Sequence, residues 1–313
     1  MIKSLDEIVS AITEFPRQKV AVAVAESASV LEAVKLAHEQ NIADALLVGD
    51  RAEIEAVAKE VGYDLAGAEI IDEAGDLEAA KIAAHAVREG RADALMKGHI
   101  HTDDFLRALL DKETGLRAGV IMSHCFLLDH RAEKRLIIVT DAAMNIKPDV
   151  VQKAQIVLNA VLLAECLGMS NPRVGVLAAV ELVNPNMPAT LDAAALMAMD
   201  RRGQFPTCRL DGPFALDNAI NLEAAKIKKI SGEVAGQCDI LLVPNIESGN
   251  ILAKSFSFLA KGLVAGVLIG AAAPVVLTSR ADSAQAKLYS IALAVLMAGM
   301  ERKHRLKIGK VHF

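Results

Sequence analysis

The sequence predicts an α/β protein: two doubly wound, mostly parallel α/β domains with helices on both faces of each sheet. Three observations predict it. Short aliphatic runs of strand length alternate with stretches whose apolar residues recur at helical spacing, and parallel strands need such crossover helices. Aromatic residues make up only 3% of a chain that is 53% hydrophobic. Ala, Val, Leu and Ile must therefore fill the core, which suits strands buried on both faces. At 313 residues the chain is long enough for one large domain or two of ordinary size, and two is the reading adopted.

The strands are placed at Val20–Val24, Ala45–Val48, Ala92–Met96, Leu136–Val139, Val174–Ala178, Ile240–Val243 and Val275–Leu277. Between them, Ala154, Val157, Leu158, Val161 and Leu162 keep helical rhythm, as do Leu288, Ile291, Ala292, Val295 and Leu296. Pro148 sits where a first-turn proline belongs and Gly168 where a helix stops. The apolar stretch Leu263–Leu277 is broken by Gly266, Gly270 and Pro274 and falls short of the ~20 residues of a membrane span. It reads as two elements around a turn. The charged stretch Asp129–Arg135 is the best internal boundary. The basic tail at 302–313 is given no function.

A net charge of −5 and a pI near 5.9 leave no basic footprint for nucleic acid. Cys125, Cys166, Cys208 and Cys238 are scattered without a CxxC pair, and the first residues lack a signal-peptide pattern. A reduced, cytoplasmic protein without a membrane segment is the expectation.

In open sheets of this kind ligands gather beyond the carboxyl ends of strands, so polar residues just after each run are the candidates. Lys97, Gly98, His99, His101 and Thr102 follow the third run. Lys97 with a glycine at a strand end, and Thr102 placed to cap the next helix, make an anion site; a surface lysine beside a tight turn is the plainer alternative. Thr140, Asp141 and Asn145 follow the fourth run, where helix capping would account for one polar residue of the loop. Pro244–Asn250 follow the sixth. Gly249 there leaves room for a ligand against the backbone, Ser248 offers a cap, and Asn250 and Lys254 share a helix face. Thr278, Ser279, Arg280 and Asp282 follow the last run. A guanidinium fork and a hydroxyl suit a phosphate, while Ser279 or Asp282 as a cap, with Arg280 on a structural carboxylate, is the alternative.

The loops Glu181–Pro188 and Asp211–Pro213 look like substrate loops shaped by prolines. His99 and His101 are the only close histidine pair and lack further ligands, so no metal is expected. No glycine-rich nucleotide motif occurs, and Cys125 and Cys208 read as packing residues.

In this order the clusters resemble the phosphate acetyl/butyryltransferase family. The matching stretches are VAVAVAES at 20–27, IADALLVGD at 42–50, ADALMKG at 92–98, GLRAGVIMSH at 115–124, TDAAMNIKPD at 140–149, AAVELVNPNMPATLDAA at 178–194, DGPFALDNA at 211–219, SGEVAGQCDILLVPNIESGNILAKS at 231–255 and APVVLTSRADSAQAKLYSIALA at 273–294. The butyryl branch looks closer, through NPNMPATLDAA and LTSRADS.

The resemblance implies a fold like isopropylmalate dehydrogenase, with residues 1–134 plus 279–313 in one domain, 135–278 in the other and an interdomain cleft between them. It implies exchange of a short-chain acyl group, butyryl or acetyl, between coenzyme A and inorganic phosphate, by direct attack in a ternary complex. Coenzyme A is a substrate there, no cofactor is needed, and a homodimer or higher homo-oligomer is usual. Ser279, Arg280 and Asp282 would be catalytic, and Lys97, Thr140, Asp141, Asn145, Asn250 and Lys254 would bind substrate. The acetyl branch carries an acid about two turns into the last helix, where this chain has Gln285, Ala286 and Lys287. Asp282 is then the nearest candidate for the base, with Asp141 and Glu247 as substitutes. Two other readings stay open: an NAD(P)-dependent dehydrogenase of the same fold group, and a non-catalytic sensor of coenzyme A or acyl phosphate. Acyl length is left to the packing of the pocket, because each methylene is worth only about 1 kcal/mol.

Overall fold

The computed structural model describes residues 1–304, with side chains through Met300. The strands are β1 (Gln18–Ala23), β2 (Ala43–Gly49), β3 (Glu69–Asp72), β4 (Ala94–Lys97), β5 (Ser123–His130), β6 (Arg135–Thr140), β7 (Arg173–Leu177), β8 (Arg209–Phe214), β9 (Ile240–Leu242), β10 (Val264–Ile269) and β11 (Val275–Val276). The α-helices are α1 (Leu5–Ile12), α2 (Ala28–Glu39), α3 (Arg51–Val61), α4 (Asp76–Arg88), α5 (Thr102–Leu109), α6 (Val150–Cys166), α7 (Pro188–Arg201), α8 (Leu216–Ile220), α9 (Leu222–Ile227), α10 (Ile246–Lys254) and α11 (Ala284–His304). Of the basic tail at 302–313, only the backbone that ends α11 lies within the described residues.

Two compact units divide the chain. Among the described residues, the first comprises Leu5–Val120 and 264–304; the second comprises Met1–Ser4 and Ile121–Leu263. Both crossings come earlier than Arg135 and Ser279. The physical reason is strand pairing. β5 and β6 form an antiparallel hairpin that sets Cys125 opposite Thr140 and His130 opposite Arg135. The charged stretch 129–135 is thus the turn of a hairpin inside one unit rather than a boundary between units. On the return, β10 stays beside β11, with Leu268 opposite Val275.

In the first unit the strand order is β3-β2-β1-β4-β11-β10, parallel except for β10 against β11. The chain winds outward from β1 through β2 to β3, then returns to place β4 on the other side of β1. That reversal is a topological switch point, and the crevice outside the carboxyl ends of β1 and β4 is where such a sheet takes ligands. Lys97 is the last residue of β4. In the second unit the order is β5-β6-β9-β7-β8, again parallel apart from the hairpin.

Each aliphatic run expected to be a strand is one. The apolar stretch Leu263–Leu277 does split, into β10 and β11. β3 and β5 lack an aliphatic run, reading EIID and SHCFLLDH. α11 packs on β1, β4, β10 and β11 and also against α1 and α2. Leu288, Ile291, Ala292, Leu293, Val295, Leu296 and Met297 are all buried, so the helix is apolar all round rather than on one stripe. α6 begins with a capping box in which Asp149 accepts from the Gln152 N–H and Gln152 reaches back. Pro148 therefore precedes the cap instead of occupying the first turn. Gly168, at φ +75°, follows the helix end as expected.

Gly98 fixes the exit from β4. Its N–H donates to the Ala23 carbonyl at 2.9 Å, and a Cβ there would lie 2.0 Å from the Val24 carbonyl oxygen. Gly98→Ala is expected to destabilise the protein by about 1–3 kcal/mol, because the obstacle is backbone that cannot rotate away. A denaturant midpoint unchanged from the parent would contradict this.

Candidate active site

Three cations converge at the switch point of the first unit. Lys97 is only 2% exposed, and its ammonium makes one long contact, 3.5 Å, to the Gly98 carbonyl. Burial, followed by the charges of Arg280 and Lys287, lowers its pKa to about 8, with Asp282 opposing. Lys287, on the first turn of α11, is equally buried, and burial lowers its pKa as well. Around Lys97 the repulsion from Arg280 and Lys287 is opposed by Asp282, so positive charge is in excess. Such a site is costly when empty and is relieved by a dianion.

The loop after β11 supplies the rest. β11 runs parallel to β4 with Val276 beside Met96, so the residues following the two strands leave the sheet side by side. Thr278 is buried, and its hydroxyl has no hydrogen-bond partner among the described residues. Ser279 and Arg280 are exposed. The Asp282 carboxylate accepts from the Ser279 N–H at 2.8 Å, and the Asp282 N–H donates to the Ser279 carbonyl at 3.1 Å. Ser279 Oγ accepts from the Ala281 N–H at 3.3 Å, which leaves its O–H to donate outward. Arg280 Nη2 lies 3.0 Å from His101 Nδ1. A guanidinium can only donate, so that ring nitrogen is the acceptor.

Two capping readings and one pairing alternative change. Ser283, not Ser279 or Asp282, accepts from the Ala286 N–H at the start of α11. Thr102 is the first residue of α5 rather than its cap, and His101 stands at the cap position without a side-chain capping bond. Arg280 pairs with a histidine rather than a structural carboxylate. The contact of His101 with Arg280 was not anticipated, because His101 was weighed only as half of a histidine pair. Lys287 was missed because it was read as a departure from an acid. Its spacing to Ile291 and Ala294 on a buried helix face was the available signal.

In the second unit, Thr140 donates to the His124 carbonyl at 3.1 Å and is fully buried. The Thr140–Asp141 peptide is cis. The Asp141 carboxylate accepts from the N–H groups of Ala143, Met144 and Asn145 and from the Asn145 amide. Asn145 also donates to the Met122 carbonyl at 2.8 Å. These side chains shape the loop into α6. Asn250 donates to the Ala142 carbonyl at 3.3 Å. A Cβ on Gly249 would lie 2.9 Å from Ala142 and 2.8 Å from the Val243 side chain, so the glycine serves packing, not ligand approach. Asn245 rather than Ser248 caps α10, accepting from the Ser248 N–H. Lys254 is exposed at its end, and Glu247 is exposed on its first turn.

The two proline loops line cavities in this unit. Glu181–Val183 and Gly212–Pro213 border one of about 680 Å³, and Met187 borders a mostly apolar one of about 500 Å³. Burial pushes the thiols of Cys125, Cys208 and Cys238 up to about 12, which suits packing and disables them as nucleophiles at neutral pH. Among the described residues no group of three or more His, Cys, Asp or Glu side chains could hold a metal, and no helix is long and apolar enough to cross a membrane.

The family model "Phosphate acetyl/butaryl transferase" matches residues 4–82 and 76–295. The chain belongs to this family. The phosphate butyryltransferase of Clostridium beijerinckii is 48% identical over 302 residues, 96% of this chain and 100% of the relative. The phosphate acetyltransferase of Thermotoga maritima is 42% identical over 281 residues, 90% of this chain and 95% of the relative. A branched-chain phosphotransacylase from Enterococcus faecalis superposes with a TM-score of 0.79 at 31% identity, covering 90% of this chain and 99% of that one. The matched region of this phosphate acetyl/butyryltransferase family member holds both the β4 exit and the Ser279–Asp282 turn.

Proposed function

We propose that the protein exchanges a short-chain acyl group between coenzyme A and inorganic phosphate. The observation that carries the reading is the excess of positive charge around the buried Lys97, from Arg280 and Lys287 against Asp282, which suits a phosphate dianion. Arg280 offers its fork to phosphate, the buried Lys97 supplies charge, and Ser279 donates its hydroxyl to the phosphate or to the developing oxyanion. A phosphate oxygen attacks the thioester carbonyl carbon; the C–O bond forms, the C–S bond breaks, and the coenzyme A thiolate leaves and takes up a proton. In reverse, the thiol must lose that proton, because with a pKa of ~8.5 it is mostly protonated at neutral pH. Asp282 is assigned as the acceptor. Its Oδ2 is held by the Ser279 N–H, so the other oxygen does this work. No metal or further cofactor takes part.

Of the second-unit residues, Asn250 and Lys254 are assigned to substrate at the α10 face. Thr140, Asp141 and Asn145 are assigned to shaping the loop that a substrate meets. A cytoplasmic homodimer completes the reading. Its support is that the second unit exposes several large apolar side chains, including Leu182, Val183, Ile227, Ile251 and Leu259. Light scattering of the purified chain checks the assembly.

Acyl phosphate formed from phosphate and acyl-CoA, trapped as its hydroxamate, tests the chemistry, and comparison of acetyl-, propionyl- and butyryl-CoA sets the chain length. Asp282→Asn is expected to lower kcat for both directions of the exchange. An unchanged kcat would take Asp282 out of the role.

A further inference from the structure

The inference rests on the phosphate reading and concerns a residue outside the Ser279–Arg280 pair. Lys287 is buried on the first turn of α11, and its ammonium donates to the backbone carbonyl of Asp282. That carbonyl ends the turn whose other bonds run between Ser279, Ala281 and Asp282. The Lys287 N–H in turn donates to the Ser283 carbonyl at 3.1 Å. A cation tied to the turn from inside the helix that follows it is in an unusual place, because Lys is rarely fully buried without a carboxylate bonded to it.

We propose that Lys287 is a positioning residue that ties the Ser279–Asp282 turn to α11 and so fixes how Ser279 and Arg280 are presented to a phosphate dianion. Burial of a lysine costs stability, so a purely structural tie would be served better by a neutral side chain. The charge adds a second effect at Lys97. The charged groups bearing on Lys97 are Arg280 from the loop after β11, Lys287 from α11 and, with opposite sign, Asp282. His101 bears on Arg280 through the 3.0 Å contact. Removing the Lys287 charge takes away one of two repulsions on Lys97, which then holds its proton to higher pH.

The test compares Lys287→Met and Lys287→Arg with the parent. Met keeps most of the apolar stem and removes both the charge and the donor; Arg keeps both. Two readouts are taken: phosphate-dependent thiol release, and inorganic phosphate binding by calorimetry across the alkaline range. Lys287→Met is expected to lower kcat about tenfold or more and to move the alkaline loss of phosphate binding to higher pH, with Arg restoring much of each. Its unliganded melting temperature is expected to stay level or rise. Parent-like kcat and pH dependence in Lys287→Met would overturn the proposal, as would a defect that follows loss of folding alone. If the parent binds phosphate but releases no thiol, the acyltransferase reading fails, and the calorimetric comparison still decides the role of Lys287.

Discussion

Arg280→Gln is expected to lower kcat/KM for phosphate by about 100- to 1,000-fold. The guanidinium is the exposed member of the cation cluster, held on one side by His101 at 3.0 Å. It offers planar, paired donors that an amide cannot reproduce. Gln keeps a donor but loses the charge and the fork, so both ground-state binding and stabilisation of the growing charge suffer. Arg280→Lys separates these terms. It restores charge without the fork, and KM is expected to recover more than kcat. Saturation kinetics in phosphate at fixed acyl-CoA read the split directly. A Gln variant within threefold of the parent would mean that the exposed arginine does not touch phosphate.

The second large effect is a pH dependence set by Lys97. Its pKa is lowered from 10.5 to about 8 by burial and then by Arg280 and Lys287. In the unliganded protein the ammonium is therefore lost as pH rises through 8, whereas an unfolded chain would keep it to about 10.5. Between those values the unfolded chain binds more protons, so the contribution of Lys97 to stability improves with rising pH. Phosphate binding works the other way. A bound dianion favours charged Lys97, so above pH 8 binding must take up a proton. Affinity is then expected to fall by up to about tenfold per pH unit until the pKa of the bound state is reached. Phosphate stays a dianion over this range and adds no slope of its own. Lys97→Met is expected to bind phosphate weakly at pH 7.5 and to show no such slope. It is also expected to melt no lower than the parent without ligand, since a buried charge has gone. A slope that persists in Lys97→Met would assign the titration to another group.

Much of this was legible in the sequence, and the misses have physical causes. The aliphatic runs that became β1, β2, β4, β6, β7, β9 and β11 stand out because a strand buried on both faces has no polar face to blur it. β3 lies at the sheet edge with half-exposed residues, and β5 carries His124 and Asp129 among its apolar residues, so neither shows that signature. The charged turn between β5 and β6 looked like a domain boundary because hairpin turns and boundary segments share composition. Lys97 and Ser279–Arg280 were picked out by the rule that ligands gather at strand ends, and the structure places them in one unit, on neighbouring strands. That rule also picked out Asp141 and Asn145, whose polar atoms turned out to bond their own loop. Polarity after a strand marks a loop that must be satisfied, and only burial tells whether the loop or a ligand does it. Lys287 shows the converse case. A lysine in line with Ile291 and Ala294 is visible as a pattern, but its meaning depends on the Asp282 carbonyl and on Lys97, which no spacing reveals.

The measurement that tests the central claim most directly is release of free coenzyme A thiol from butyryl-CoA, titrated with inorganic phosphate at pH 7.5. The account predicts release that requires phosphate, saturates with it and yields one acyl phosphate per thiol. Release at the same rate without phosphate, or none from a folded protein at any phosphate concentration, would contradict it.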